Sequence, residues 1–464
     1  MNLSLFSEFS PTNKAVWKQQ VIKDLKGKDF NKTLVWQTTE GIEMQPYYTA
    51  EDLTDTRLGE LYSIQKKTLG WLNIPVVLFE NEALTNTKTL TLLQQGADAI
   101  HLDLSQVDIH KIEFTKLLNG IKLSQTPVYF QTNSQDIALI NALQKVVPYQ
   151  MKGGCVNDGL GRWMQTGKWQ TDHFTDLSTL LLRSQSAPLF RTVCVSSHSF
   201  HNAGANAVQE LAFTLASAVT YIDKLTDLEI PVDVALQKVY FSISVGTHYF
   251  MEIAKLRALR YLWEKVEAQF RVADPLTFPP STFSAFIHAQ TSTFYDAALS
   301  PHTNMIRATT EAMSAVIGGC DALSVHSYDA SFQPSDEFSE RIARNISIVL
   351  KEEAHLDKVA DPAAGSYYIE SLTLQLIDAA WALFLEVEAK GGLIPAFEQN
   401  FIQDQIETNY EQQLNELKDG KRIMVGVNQF QETTSVLFAQ TLQPINNSPF
   451  KLLRNARISE NFER

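Results

Sequence analysis

The sequence predicts an α/β protein built as a (β/α)8 TIM barrel, with an extended N-terminal arm and a C-terminal helical extension. Three observations predict it. Short apolar runs recur at 75–79, 99–104, 127–132, 154–156, 192–196, 239–245, 283–290, 322–327 and 358–360. Helical patterns separate most of them, the best being 203–223, 249–270 and 303–318. Such alternation argues for parallel strands joined by helices, and about eight units is the barrel number. Nine runs are one too many, so 75–79 or the weak run near Cys155 is expected to be surplus or merged.

The alternation within strands is the third observation. Phe241, Ile243 and Val245 alternate with Tyr240, Ser242 and Ser244. Phe283, Ala285 and Ile287 alternate with Ser284, Phe286, His288 and Gln290, and Leu323 and Val325 with Ser324 and His326. The apolar set should pack under the outer helices, leaving the small and polar set inside the barrel. Barrel interiors are usually filled with bulky branched residues. Serines and histidines there imply either a ligand channel or a hydrogen-bonded structural core.

Along the chain, residues 1–69 form the arm, 70–392 the barrel and 393–464 the extension. A short helix is expected over 15–25, capped by Thr12 or Asn13, followed by strand-like pieces around Gly41 and Pro46. This segment is too thin to fold alone and should pack on another domain or a partner. Phe190 to Asp223 makes one βα unit: a strand at 192–196, a polar turn from Ser197 to Asn202, and a helix. The helix has Val208, Leu211, Ala212, Leu215, Ala218 and Ile222 at three- and four-residue steps. Chemistry in barrel enzymes sits on such loops at the C-terminal ends of strands. After the barrel, 372–390 is an amphipathic helix stopped by Gly391-Gly392, 394–418 is helical, 423–427 reads as a short strand, and the tail is polar.

Composition excludes several functions. A chain of 464 residues with 44% hydrophobic content can bury a large core. The net charge of −13, without a dense Lys/Arg run, argues against nucleic acid as a partner. No apolar run is long enough to span a membrane, and the N-terminus lacks a basic segment followed by an apolar one, so a cytoplasmic location is expected. Cys155, Cys194 and Cys320 form no CxxC and are expected to be buried reduced thiols. Phosphate-loop, zinc-protease and serine-hydrolase motifs are absent, and Gly159-Leu-Gly161 lacks a third glycine. Asp108-Ile-His110-Lys-Ile-Glu113 has the spacing of a cobalamin-binding Asp-x-His-x-x-Gly, but ends in Glu. The candidate pocket residues are His198, Ser199, His201, His288, Gln290 and His326. No carboxylate lies at helical ligand spacing to these histidines, so hydrogen-bonded histidines at a barrel mouth are expected rather than a metal.

Four stretches carry a resemblance. They are Thr38-Thr-Glu-Gly-Ile-Glu-Met-Gln-Pro-Tyr-Tyr-Thr-Ala-Glu-Asp-Leu53; Ala203-Gly-Ala-Asn-Ala-Val-Gln-Glu-Leu-Ala-Phe-Thr-Leu-Ala216 with Glu252-Ile-Ala-Lys-Leu-Arg-Ala258; Asn304-Met-Ile-Arg-Ala-Thr-Thr-Glu-Ala-Met-Ser-Ala-Val-Ile-Gly-Gly319; and Phe338-Ser-Glu-Arg-Ile-Ala-Arg-Asn345 with Asp361-Pro-Ala-Ala-Gly-Ser-Tyr-Tyr-Ile-Glu-Ser-Leu-Thr373 and Val425-Gly-Val-Asn428. In this order they resemble the barrel chains of the methylmalonyl-CoA mutase family. The resemblance implies a barrel that, in catalytic relatives, threads the pantetheine arm of an acyl-CoA along its axis. There a separate domain binds adenosylcobalamin.

The departures are informative. The catalytic relatives read Gly-Tyr-His-x-x-x-Ala-Gly-Ala at the loop. Aligned on Ala203-Gly204-Ala205, Ser199 stands where that histidine stands, and serine is a weak general acid. The Arg- and Tyr-rich segment that grips acyl-CoA has no match in 54–71, and too little chain follows Phe430 for a cobalamin domain. His288-Ala-Gln290-Thr291 survives. The resemblance therefore implies a non-catalytic small subunit with no cofactor of its own. Its partner would be a large catalytic subunit carrying adenosylcobalamin, in a heterodimer. The alternative is a catalytic barrel chain served by a separate cobalamin-binding protein, and a third reading is a free-standing acyl-CoA-binding barrel.

Overall fold

The structure is a computed structural model that describes residues 12–147, 149–169, 172–273, 285–431 and 448–463. Its centre is a ring of eight strands. They are β1 (Leu72–Asn73 and Val76–Leu78), β2 (Ile100–Asp103), β3 (Val128–Gln131), β4 (Gly153–Cys155), β5 (Phe190–Arg191 and Val193–Ser196), β6 (Val239–Val245), β7 (Ile287–Thr291) and β8 (Ala322–Ser324). Every neighbouring pair is parallel, and β8 pairs back to β1. The two pieces of β1 face different neighbours: 72–73 pairs with β8, 76–78 with β2. Likewise 190–191 of β5 pairs with β4 and 193–196 with β6. Tilted strands in a closed barrel meet their two neighbours at different heights, which accounts for the breaks. At Pro75 the ring also lacks an N–H.

Both runs suspected of being surplus are therefore real strands. The surplus one is 358–360, a series of bends after the helix Glu337–Glu352, with Val359 exposed. The run 423–427 is not a strand either; Val425 makes one isolated bridge to Gln429. A closed ring leaves no edge for a ninth strand to join. The weak signal at β4 has its own cause. Gly153 has φ +116°, and a Cβ at Gly153 or Gly154 would collide with the carbonyl oxygens of Val128 and Arg191. The strand packs so closely between β3 and β5 that apolar side chains cannot mark it. Phe283 and Ser284 lie outside the described residues.

The predicted sidedness holds for the residues described. Phe241, Ile243, Val245, Ile287, Ala289 and Leu323 belong to the main core under the helices, where Phe241 meets Trp263 edge-on at 5.1 Å. Tyr240, Ala322, Phe286 and Tyr129 form a separate cluster inside the ring with Ile74, Ala99 and Cys194.

The arm packs on its own barrel. Asn13 caps the helix Lys14–Asp24 by accepting from Val16 N at 3.0 Å. A two-stranded antiparallel ladder, Trp36–Gln37 with Glu43–Met44, follows. Ile42 and Met44 enter the main core, and Arg57 pairs with Asp378 at 2.6 Å. In the extension, the helix Phe401–Lys418 covers the turn after β5: Asn409 Nδ2 donates to Gly204 O at 2.6 Å. Gly204 has φ +104°, and a Cβ there would press on Tyr410. Of the tail, 448–463 is described and docks on the barrel, with Ser459 Oγ donating to Asp296 O at 2.6 Å.

Asp296 gives this docking region a pH dependence. Burial pushes its carboxyl up to about 7, although Ser331 donates to it and Arg307 and Arg457 oppose the rise. Its folded pKa thus exceeds its unfolded one, so its stabilisation is present at acid pH and lost as pH rises from about 4 through 7. Asp296→Asn should flatten the fall in melting temperature between pH 5.5 and 8, removing a slope worth about 2 kcal/mol. An unchanged slope in thermal melts would refute this.

Candidate functional site

The turn after β5 is a single helical turn, His198–His201, where the sequence suggested a polar loop. It is pinned to β6 by two hydrogen bonds of Ser197. Ser197 N donates to Ser242 O at 3.0 Å and Ser197 Oγ accepts from Ser244 N at 3.0 Å. Asn206 then caps the helix Ala207–Asp227 in a reciprocal box with Gln209, while its side chain reaches Thr39 O of the arm at 3.0 Å. The helix thus starts at Ala207, later than the apolar pattern suggested, because Gly204 must turn beneath Tyr410.

His198 points to the inner face of β6. Its Nδ1 lies 2.6 Å from Ser244 Oγ and its Nε2 2.8 Å from Ser242 Oγ. Both nitrogens are occupied, and burial, with His326 as the next influence, pushes it down to about 3. It stays neutral and has no free nitrogen for acid–base work. Gln290 Nε2 joins the same chain by donating to Ser242 Oγ at 3.2 Å. His288 lies deeper, with Nε2 2.8 Å from Ser324 Oγ and its ring stacked on Tyr129. His326 is pushed down to about 4 by burial, and its amide donates to Thr291 Oγ1 at 2.8 Å.

His201 turns away from the mouth into a buried ionic group that sequence reading missed. Its Nδ1 lies 2.8 Å from Glu210 Oε1 and its Nε2 2.6 Å from Ser292 Oγ. Lys255 lies 3.1 Å from Glu210 and 2.6 Å from Glu252, and donates to Ser244 O at 2.9 Å. The ammonium's burial lowers its pKa, but the two carboxylates outweigh this and hold it above its ordinary range. The signal was present: charged residues in helix stretches whose other positions are apolar must find partners when buried.

Ser199 stands outside this network, as does Nδ1 of His288. The serine is buried, yet its Oγ has no partner. The residue borders a cavity of about 780 Å³ at the C-terminal mouth, which His198, Gln290, His101 and Thr192 also border, but its hydroxyl is closed off from that space. Thus the six candidates divide: His198, Ser199 and Gln290 border the cavity, and His201, His288 and His326 do not.

Aromatic rings fill the barrel axis. Tyr129 of β3 meets Phe286, next to β7, at 6.4 Å and His288 of β7 at 6.1 Å. Strands 3 and 7 stand on opposite sides of an eight-stranded ring, so these contacts cross the axis. Tyr240 closes a third side at 5.9 Å from Tyr129, anchored by its hydroxyl on Cys155 O. Of the two readings of the inward polar set, the structure supports a hydrogen-bonded core.

The chemistry available is limited. Ser199 has no histidine in hydrogen-bond reach to activate it. Burial raises all three cysteine thiols, Cys320 to about 12. Among the described residues no group of three or more His, Cys, Asp or Glu could hold a metal ion. Nor is any described helix long and apolar enough to cross a membrane.

Comparison with known proteins gives a consistent family. The family model described as Methylmalonyl-CoA mutase matches residues 105–461. The methylmalonyl-CoA mutase small subunit of Porphyromonas gingivalis is 35% identical, over 93% of this chain and 72% of that protein. The small subunit of Streptomyces virginiae is 29% identical, over 92% of this chain and 72% of its own length. A methylmalonyl-CoA mutase of Cereibacter sphaeroides is 32% identical over 89% of this chain, which spans 64% of that relative.

Proposed function

This chain belongs to the methylmalonyl-CoA mutase family, and from that premise we propose that it is the small, non-catalytic subunit of an adenosylcobalamin-dependent mutase. Its role is to stabilise a large subunit on which methylmalonyl-CoA and succinyl-CoA interconvert. The observation that carries the reading is the filled axis. An acyl-CoA threaded along the barrel would have to displace Tyr129, Tyr240 and Phe286, which pack against one another across the ring. Ser199 at the family's histidine position, and His198 with both nitrogens engaged, support it.

The residues present do not fit the cobalamin. Asp108 uses its carboxylate to cap a 3₁₀ turn at Ile109–Lys111, accepting from the His110 amide at 3.0 Å. Glu113 occupies the glycine position and starts the helix Phe114–Leu117. The cofactor and the isomerase chemistry are accordingly assigned to the partner, in a heterodimer.

Co-expression with a candidate large subunit tests this. The expected result is a stoichiometric complex that isomerises methylmalonyl-CoA, while this chain is inactive alone. Turnover by this chain with only a free cobalamin-binding domain added would instead support a catalytic barrel. In the complex, Ser199→Ala should leave kcat and KM within about twofold of the parent; a large drop in kcat would restore the turn after β5 as an active site.

A further inference from the structure

The described part of the tail, 448–463, crosses the C-terminal face of the barrel. Leu453 N donates to Met164 O at 3.0 Å, Ala456 N to Asn202 O at 2.8 Å and Ile458 N to Phe294 O at 3.0 Å. These acceptors lie in the connections after β4, β5 and β7. Near its end the tail meets alternate residues of the connection after β7. Besides Phe294, Asp296 O accepts from Ser459 Oγ at 2.6 Å, and Ala298 N donates to Glu463 Oε1 at 2.8 Å. Ile458 is buried in an apolar cluster with Phe294, Leu417 and Met424, and Phe462 packs against it. This cluster is separate from the main core. Within 448–463 only Leu453, Ile458, Ser459 and Glu463 are buried. A segment tied by so few buried groups can open without unfolding the barrel.

Asp296 is buried at this junction, near two other buried carboxyl groups, Asp329 and Glu311. The cations around it are engaged elsewhere. Arg307 donates to Asn304 Oδ1 and to Val425 O, and Arg457 holds Glu463 at 3.0 and 2.7 Å. Ser331 Oγ donates to Asp296 Oδ2 at 2.9 Å. Burial above all, with Asp329 adding to it, raises the Asp296 carboxyl to about 7 against Ser331, Arg307 and Arg457. Burial raises Glu311 too, with Asp296 as the next influence.

An ionised carboxylate is costly to keep out of water. Lifting the end of the tail lets water reach Asp296, so ionisation favours the lifted form. The carboxyl holds its proton more tightly with the tail seated than with it lifted. Seating is therefore strongest at acid pH and weakens as pH rises from about 4 toward 7.

We propose that residues 457–463 form a proton-operated latch, seated while Asp296 is protonated and released as Asp296 ionises, which uncovers the apolar pocket around Phe294. The latch is independent of the subunit reading, because it requires no partner chain. Amide hydrogen exchange on the full chain tests it, with protection corrected for the intrinsic effect of pH. The Ile458 and Ala298 amides should be at least about tenfold less protected than the Phe241 amide of β6, as a local opening requires. Their protection should fall by about tenfold or more between pH 5.5 and 7.5. In Asp296→Asn the fall should vanish. In Ser331→Ala, which removes a donor to the carboxylate, the fall should extend to higher pH. Equal protection of the Ile458 and Phe241 amides would overturn the latch, since the tail would then open only with the whole chain. So would protection that is constant or rises with pH, the latter meaning that the charge draws Arg457 inward. A fall retained in Asp296→Asn would also overturn it, and Ser331→Ala keeps the test decisive should Asp296→Asn fail to fold: an unextended fall there counts against the latch.

Discussion

Lys255→Met is expected to destabilise the chain by about 3–5 kcal/mol at neutral pH, the usual cost of removing one partner from a buried ion group. Among the described residues, Lys255 is the cation that links Glu210 and Glu252, both buried. Without it two carboxylates share a low-dielectric site, and Ser244 O loses its donor. The pH dependence follows with a definite sign. In the parent, burial raises Glu210 but Lys255 and His201 outweigh it and hold it below its ordinary value. Its stabilisation is then present above the unfolded carboxyl pKa and lost as pH falls. In the variant both carboxyls would sit above their unfolded values, so their contribution is present at acid pH and lost as pH rises. The gap between parent and variant should narrow at pH 4–5 and widen toward pH 8. Denaturant melts across that range check it; a pH-independent gap would mean that the charge is not what matters.

Tyr129→Ala should cost about 3–5 kcal/mol, as large aromatic-to-alanine changes in cores do. The ring touches Tyr240, Phe286 and His288, so the void would open on the axis rather than at the periphery. Tyr129→Phe keeps the ring and should cost under about 1.5 kcal/mol. The comparison separates packing from the hydroxyl, and equal losses in urea denaturation for the two variants would refute the filled-axis account. On the proposed non-catalytic reading, neither variant should gain mutase turnover by itself.

Much of the fold is legible in the sequence because local periodicity reports which face is buried. The β6 residues Phe241, Ile243 and Val245 and the helix from Val208 to Ile222 carry that signal in full. It fails at β4, where backbone crowding demands glycines and removes the apolar marker. It also fails at 358–360 and 423–427, which have strand-like residues but meet no free sheet edge. The turn after β5 shows the same division. Its histidines and Ser199 are plain in the sequence, and so is the family itself.

What the sequence determined alone is therefore the barrel, its sidedness and its kinship, since these rest on residue spacing and residue identity. What the tertiary structure decided is where each polar side chain finds its partner. His198 and His201 are three residues apart, yet one turns into a serine chain on β6 and the other into the Glu210–Lys255 group. Tyr129 and Phe286 are far apart in sequence, and only closure of the ring brings them together across the axis. Contacts between opposite strands follow from strand number and tilt, which no local pattern encodes.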